Sequence, residues 1–268
     1  MKYNSELNRL FDKWIDASKV NNEWQSKDHV IFTKDGILEK NEPIDIEASW
    51  HNSRKRILFI IKDQPTKWSD DVRWWLKDRD EDDEKSVTRK RSNRELKPRF
   101  LRNIANVLWG LYTIDNPKDC DYSKAHESFD DVKQCFNTIP FALMESKKQG
   151  GKTSISNTKL KNYLDRYKDF LRKELDILSP NIIVCTNNLI YSFVINYYNE
   201  KNPNSPLHIL TEEGHNSIRI HPESQTLIFS SFHPSAPMSY AKFYDGVMNH
   251  YRAFLQSEYF HLFKNWYN

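Results

Sequence analysis

The chain has 268 residues, of which 38% are hydrophobic and 13% aromatic, so it can bury one large core or two small ones. Its formal net charge is only +3, which does not by itself indicate a nucleic-acid-binding protein. The longest apolar run, 57–61, is far shorter than a membrane span, and the first residues contain no apolar signal-peptide core. We therefore expect a cytoplasmic monomer that has no membrane partner.

The N-terminal part of the chain predicts two short elements. Residues 5–18 place a stripe of apolar side chains on one side of a helix. The stripe consists of Leu7, Leu10, Phe11 and Trp14. Residues 29–40 are typical of a short hairpin around Asp35-Gly36. Because no repeat and no convincing linker divides the chain, we interpret 1–268 as one α/β domain with an N-terminal extension, 1–54.

Four apolar runs of strand type follow, at 57–61, 139–144, 182–186 and 227–232. Their apolarity is continuous, as strands buried on both faces require. Residues 158–180 predict a helix that ends at Pro180, and residues 188–198 predict another. The stripe of the first helix consists of Leu160, Leu164, Tyr167, Leu171 and Leu175. Strands separated by helices favour a three-layer α/β sandwich around a central, mainly parallel four-stranded sheet.

Charge is distributed unevenly between the first two strands. Residues 78–84 contain six acids and one arginine, whereas 85–102 contain eight lysines or arginines and one acid. This break indicates an exposed loop that leads into a helix. The buried side of that helix would carry Phe100, Ile104, Leu108 and Leu111. The basic block is either a solvated charged face or a surface that contacts phosphates, and charge alone leaves both interpretations open.

The three cysteines argue against a disulfide framework. Cys120, Cys135 and Cys185 are odd in number and widely spaced, which fits a reducing compartment. Cys120, His126 and Cys135 form a partial metal-ligand set, but their spacing matches no standard pattern and a fourth ligand is missing. We therefore expect buried or surface thiols, no metal and no cofactor.

Polar clusters follow the predicted strands at the point where each strand ends. They are 62–66 (KDQPT), 145–152 (ESKKQGGK), Asn187-Asn188 and 233–237 (HPSAP). In open α/β sheets, ligands bind outside the carboxyl ends of the strands, so these clusters are expected to converge on one cleft. Carboxylates, lysines and a histidine around one cleft indicate a site for the cleavage of a polar bond.

The order of these motifs resembles the uracil-DNA glycosylase superfamily over roughly residues 55–255. The first motif of that superfamily reads GQDPY, GINPG or GEAPG. Alignment on Pro65 places Gln64 and Asp63 at its polar positions, and HPSAP matches the second motif from His233 to Ser235.

Several positions depart from the superfamily pattern. Lys62 replaces a glycine, Thr66 replaces a tyrosine or glycine, and Glu145 stands where relatives have a base-reading asparagine. Asn187-Asn188 occurs where relatives often have glycine. The four-cysteine iron–sulfur pattern of the GEAPG branch is absent from the sequence.

The resemblance implies a role for each motif residue. Asp63 would activate or orient the attacking water, Gln64 would position it, and His233 would donate a hydrogen bond to the base oxygen. The remaining substrate contacts would come from Glu145, Phe141, Pro65, Trp68, Ser235 and Asn187, with Trp74 as a further stacking candidate. DNA contacts would come from Lys147, Lys148, Lys152, Arg89, Lys90, Arg91, Met238 and Tyr240, with Pro237, Met238 and Tyr240 as wedge candidates. The alternative roles are structural: strand-end capping for His233, a turn for Asp63, packing for the tryptophans and solvation for the lysines. Glu145 would alternatively pair with Lys147 or Lys148, or be protonated by burial and donate like an amide.

The predicted function is that of a monofunctional, metal-free DNA glycosylase acting on a flipped pyrimidine in double- or single-stranded DNA. An ionised Glu145 only accepts hydrogen bonds, so a modified cytosine, such as those of phage genomes, is favoured over uracil. Defence against phage with modified DNA would fit this preference. Three alternatives remain: a catalytically inert nucleic-acid-binding module, a uracil-type repair glycosylase, and a nucleosidase acting on free nucleosides.

Overall fold

The computed structural model describes residues 2–20, 32–62, 71–150 and 155–266. These residues form an α/β fold around a mixed sheet of seven strands, in the order β1-β3-β2-β4-β7-β6-β5. The strands are β1 (Gly36–Ile37), β2 (Ile57–Ile61), β3 (Phe141–Glu145), β4 (Ile182–Cys185), β5 (His208–Glu213), β6 (Asn216–His221) and β7 (Thr226–Ser230). The sheet is thus larger than the predicted four strands, and it is not wholly parallel.

Ten α-helices lie in the described part of the chain. They are α1 (Tyr3–Val20), α2 (Ile46–Asn52), α3 (Glu84–Arg94), α4 (Arg99–Thr113), α5 (Tyr122–Glu127), α6 (Phe129–Thr138), α7 (Asn157–Arg166), α8 (Lys168–Leu178), α9 (Asn188–Lys201) and α10 (Tyr240–Leu255). Short 3-10 helices lie at Val72–Trp74, Pro117–Asp119 and Glu258–Trp266. None of the helices in the described ranges combines the length and apolarity that a membrane span requires.

The four predicted strands form the parallel centre of the sheet, as expected. β2 pairs in parallel with β3 on one side and with β4 on the other, and β4 pairs in parallel with β7. Every residue of these four strands is buried, which explains their continuous apolarity. The additions are β1, antiparallel to β3, and the β5–β6 hairpin, antiparallel to β7.

The hairpin predicted around Asp35-Gly36 is wrong for residues 32–40, and residues 29–31 of that prediction lie outside the described residues. β1 pairs with β3 through Gly36↔Leu143 and Ile37↔Ala142, and Phe32 forms an isolated bridge with Gln149. Residues 33–40 therefore extend the sheet edge instead of folding back on a neighbouring strand. The turn-like sequence reflects Gly36 itself, whose φ of +135° is a conformation that side-chain-bearing residues rarely adopt.

Helices cover both faces of the sheet, so the chain has the three layers of an α/β sandwich. Alternate strand residues enter two separate cores. Leu58, Ile60 and Ile183 lie in the first core, which is covered by α1, α2, α7, α8 and α9. Phe59 and Val184 lie in the second core, which is covered by α4, α5, α6 and α10. The N-terminal helix belongs to the first layer. Its Trp14 stacks on Phe170 of α8 at 5.2 Å between ring centroids.

Two predicted helical regions are each divided. The stripe of 158–180 is buried as predicted, but the helix breaks at Tyr167, where φ is −109° and ψ is 20°, into α7 and α8. The basic block 85–102 is not a loop that leads into one helix. It contains α3, a turn with Leu96 at a positive φ of 55°, and the start of α4.

The order of the parallel strands places a crevice at the centre of the sheet. Along the chain, β3 is added on one side of β2, and β4 and β7 are added on the other side. The connections therefore diverge between the carboxyl ends of β2 and β4, which is the switch point where open α/β sheets bind ligands.

Candidate active site

The segments after the four parallel strands meet at one edge of the sheet. Backbone hydrogen bonds join them: Ser146 N–H donates to Ile61 O at 2.9 Å, and Ser231 N–H donates to Cys185 O at 2.8 Å. The convergence predicted from the sequence is thus present for Lys62, the turn after β3, the start of α9 and the segment after β7. The predicted site residues Asp63, Gln64, Pro65, Trp68 and Lys152 lie outside the described residues.

His233 follows β7 at this edge and is half-buried. Its Nδ1 accepts a hydrogen bond from the backbone N–H of Ser235 at 3.2 Å. Burial, together with the charge of Lys62, lowers the pKa of the imidazole to about 4. At neutral pH the ring is therefore uncharged, and because Nδ1 accepts, its single proton resides on Nε2. His233 is a neutral hydrogen-bond donor.

The N-terminal turns of α4 hold the segment that contains His233. Asn103 Nδ2 donates to the carbonyl oxygen of Pro234 at 2.6 Å, and Arg99 Nη1 donates to the carbonyl oxygen of Met238 at 2.6 Å. The Phe100 ring lies against the His233 ring, with 5.8 Å between centroids and 39° between planes. The sequence predicted Phe100 only as part of a buried stripe and gave no signal for Asn103, because their partners lie far away in the chain.

Phe100 also borders a cavity, and a second cavity shares two lining residues with the first. A cavity of about 190 Å³ is lined by Trp75, Arg89, Ser92, Asn93, Pro98, Phe100 and Leu101. A larger one of about 560 Å³ shares Trp75 and Arg89 with it and includes Trp74. Trp74 is half-buried, with the guanidinium of Arg79 above its ring at 5.0 Å. Phe100 therefore both contacts the His233 ring and lines the smaller cavity.

Phe141 is not a base-stacking residue. It is the first residue of β3, fully buried, and its ring lies 4.2 Å from Nζ of the buried Lys40. The four residue steps of β3 place it about 13 Å from the carboxyl edge. A substrate at His233 cannot reach it, because parallel strands present only their carboxyl ends to that edge.

Lys148 is not a phosphate contact either. Its side chain is fully buried, with Nζ at 2.5 and 2.7 Å from the two carboxylate oxygens of Asp35 and at 2.9 Å from Glu174. Burial and the neighbouring Asp35 raise the pKa of the Glu174 carboxyl. Asp35 also accepts the backbone N–H of Glu145 at 2.5 Å. This network fixes the turn that follows β3. The N–H donors of Lys148 Nζ all face Asp35 and Glu174, so none is available to a DNA phosphate.

The basic block divides into buried and exposed side chains. Lys90 is buried and ion-paired with Asp82, so the prediction that it contacts DNA is wrong. Arg89 and Arg91 are exposed on α3, and their predicted phosphate contacts stay predictions. Lys147 is half-buried and donates from Nζ to the carbonyl oxygen of Gln149.

Two further predicted residues have structural partners. Glu145 is fully buried at the end of β3, opposite Ile61 of β2. Asn187 is the N-cap of α9, and its Oδ1 accepts from Leu189 N–H at 2.9 Å. Its amide nitrogen is not needed for that cap, so a substrate contact through Nδ2 stays a prediction.

The predicted wedge region lies beside α4. Ser235 and Pro237 are exposed, whereas Met238 is half-buried against the core. Two guanidinium groups lie over the Tyr240 ring, that of Arg99 at 5.1 Å and that of Arg102 at 4.7 Å from the ring centroid.

Cys120, Cys135 and Cys185 are buried, free thiols. In the described ranges, no group of three or more His, Cys, Asp and Glu side chains is arranged to hold a metal ion. The partial ligand set of Cys120, His126 and Cys135 therefore forms no such group.

No protein-family model matches this chain, and no curated protein matches it at a significant level.

Proposed function

We propose that this chain is a monofunctional DNA glycosylase that hydrolyses the N-glycosidic bond of a flipped, modified pyrimidine. The observation that carries the proposal is the state of His233, a neutral imidazole whose Nε2–H is available at the carboxyl edge of the sheet. The sequence motif around it adds the resemblance to the uracil-DNA glycosylase superfamily. The α/β sandwich, with its switch point between β2 and β4, supports this choice.

The reaction breaks the bond between C1′ of the deoxyribose and the base nitrogen, and the base leaves with the electron pair. Negative charge then develops on the base oxygen, where the Nε2–H of His233 would donate a hydrogen bond. A neutral donor suits this role because its proton stays on the histidine while the charge forms. Water adds to C1′ and loses its proton to a general base of the protein, which is the role predicted for Asp63.

Phe100 takes the stacking role that the sequence assigned to Phe141. Its ring already lies against His233, and base–aromatic stacking contributes about 1 to 3 kcal/mol. Glu145 is as buried as Phe141, but it is the last residue of β3, at the carboxyl edge, and we assign it the role of selecting the base edge. A carboxylate accepts from the exocyclic amine of a cytosine but repels the 4-carbonyl of uracil, so a cytosine derivative is the favoured substrate.

The test is base release, measured by mass spectrometry on single- and double-stranded oligonucleotides that contain uracil, cytosine or a 5-substituted cytosine. We expect release of at least one modified base by the wild type and a loss of about a hundredfold or more in His233→Gln. His208→Gln is the matched control, because His208 is the first residue of the outermost strand β5 and lies away from the carboxyl ends of the parallel strands. If the protein binds DNA but releases no base, the glycosylase proposal is rejected and the chain is an inert DNA-binding module. Release from free nucleosides alone would replace it with a nucleosidase.

A further inference from the structure

Two arginines of α4 differ in their partners from four arginines of this protein that are paired with acids. Arg73, Arg94, Arg172 and Arg252 each lie within 2.5 to 2.9 Å of a carboxylate oxygen. Arg99 and Arg102 form no ion pair with any carboxylate of the described residues, within a limit of 4.0 Å between nitrogen and oxygen. Neither guanidinium is therefore held by a direct carboxylate contact in the described residues; Arg102 hydrogen-bonds the Tyr122 side chain instead.

Aromatic rings and the backbone hold both guanidinium groups in place. Arg99 and Arg102 lie over the Tyr240 ring, and Arg102 also lies over Phe129 at 4.4 Å. Arg99 uses one nitrogen to donate to the carbonyl oxygen of Met238. A guanidinium has five N–H donors, so most of those on Arg99, which is exposed, remain open to solvent. Stacking restricts the side chains before any ligand binds, which lowers the entropy cost of binding.

The position of this arginine pair relates it to His233. Arg99 and Arg102 flank Phe100 in the same helix, and Phe100 touches the His233 ring. Tyr240 lies seven residues after His233, in the segment that α4 anchors through Met238. A base at His233 would thus bring its own sugar–phosphate chain next to the arginine pair.

We propose that Arg99 and Arg102, stacked on Tyr240, bind the DNA phosphodiester adjacent to the nucleotide whose base faces His233. The proposal names the DNA contact of the site described above, so its position rests on the proposed function. Phosphate is the ligand that the chemistry selects, since a planar guanidinium donates two parallel hydrogen bonds to its oxygens. The phosphate contact is thus assigned to the start of α4 instead of to Lys90 and Lys148, which are buried in ion pairs.

The experiment measures the affinity of the full chain for duplex and single-stranded oligonucleotides of unmodified sequence, over a series of salt concentrations. Arg99→Gln should weaken binding by about tenfold at low salt and reduce the log–log salt slope by about one unit for duplex DNA. The double variant Arg99→Gln/Arg102→Gln should reduce the slope by about two units. Arg172→Gln, in α8 on the other face of the sheet, should change neither quantity.

Arg99 is exposed, so its single variant keeps the test valid if the double variant fails to fold. An unchanged slope in Arg99→Gln, or an equal change in Arg172→Gln, overturns the proposal. Because the oligonucleotides contain no excisable base, this result is separate from catalysis. A reduced slope in a protein that releases no base would uphold the phosphate site and reject the glycosylase. Base release with an unchanged salt slope would uphold the glycosylase and reject the phosphate site.

Discussion

Asn103 donates a hydrogen bond from Nδ2 to the carbonyl oxygen of Pro234 at 2.6 Å, and so joins two residues 131 positions apart. Asn103 is fully buried in α4, and Pro234 is buried directly after His233. The bond therefore determines where the His233 segment leaves β7. Asn103 acts on this segment through the Pro234 carbonyl, and its Oδ1 has no hydrogen-bond partner among the described residues, so it is a positioning residue.

The first prediction concerns that bond. Asn103→Leu keeps a side chain of similar size but leaves the Pro234 carbonyl without its donor, so the rate of base release in single-turnover experiments should fall by about tenfold, the equivalent of about 1.4 kcal/mol. The affinity for DNA should not change. Asn106→Leu, one turn further along α4, is the control, because no described residue after β7 bonds to Asn106. Equal rates in the two variants would reject the positioning role.

The second prediction concerns the pH dependence of stability. The pKa of His233 is about 4 in the folded protein and about 6.5 in an unfolded chain, so unfolding takes up a proton between these values. The contribution of neutral His233 is complete above pH 6.5 and is lost as the pH falls to about 4. Urea unfolding should therefore show the wild type losing stability relative to His233→Gln over this interval. A constant difference from pH 7.5 to about pH 4 would contradict the assigned pKa.

The same protonation state predicts the pH dependence of activity. In the proposed mechanism His233 acts as a neutral ring, so its contribution to the rate of base release should be constant from about pH 5 to 8 and should fall as the pH approaches 4. A rate that falls with a midpoint near pH 6.5 would show that the imidazole is not held neutral.

The third prediction concerns the base that is recognised. Wild-type protein should release a 5-substituted cytosine in preference to uracil, because the Glu145 carboxylate accepts from an exocyclic amine and repels a carbonyl. Glu145→Asn should shift the preference toward uracil, since an amide both donates and accepts. Competition between the two substrates in one reaction measures the ratio directly. Efficient wild-type release of uracil, with no release of any cytosine derivative, would reject this role for Glu145.

The fourth prediction concerns the buried ion network. Lys148→Met removes the cation that faces Asp35 and Glu174, so the free energy of unfolding should fall by about 3 to 5 kcal/mol. Lys173→Met, on the exposed side of α8, should have little effect. Adding Glu174→Leu to Lys148→Met should recover part of the loss, because one of the uncompensated carboxyl groups is removed. No recovery would indicate that packing, rather than charge, is responsible.

The fifth prediction separates the two kinds of side chain in the basic block. Lys90→Met should lower the free energy of unfolding but leave the salt slope of DNA binding unchanged, because the lysine is buried against Asp82. Arg91→Gln, at an exposed position of α3, should leave stability unchanged and reduce the slope by about one unit if it contacts a phosphate. A reduced salt slope in Lys90→Met would show that Lys90 contacts a DNA phosphate.

Local patterns in the sequence were enough to predict the parallel centre of this fold. Continuous apolar runs indicated β2, β3, β4 and β7, and the stripe through Leu7 and Trp14 indicated α1. These signals are local, because a strand covered on both faces must be apolar at every position. The outer strands carry no such signal. β5 is largely exposed, and β1 has only two residues and pairs with a strand more than a hundred residues away.

The roles of the charged and aromatic residues were decided by tertiary structure alone. Lys148 lies in a predicted site motif and Arg99 in the basic block, yet Lys148 meets Asp35 from 113 positions away, whereas Arg99 meets no acid in the described ranges. Phe141 and Phe100 are equally apolar, but only Phe100 lies at the carboxyl edge, against His233. Sequence spacing determines which face of an element a side chain occupies, while its partners depend on how distant elements pack, and the partner decides whether a charge is neutralised or available to a ligand.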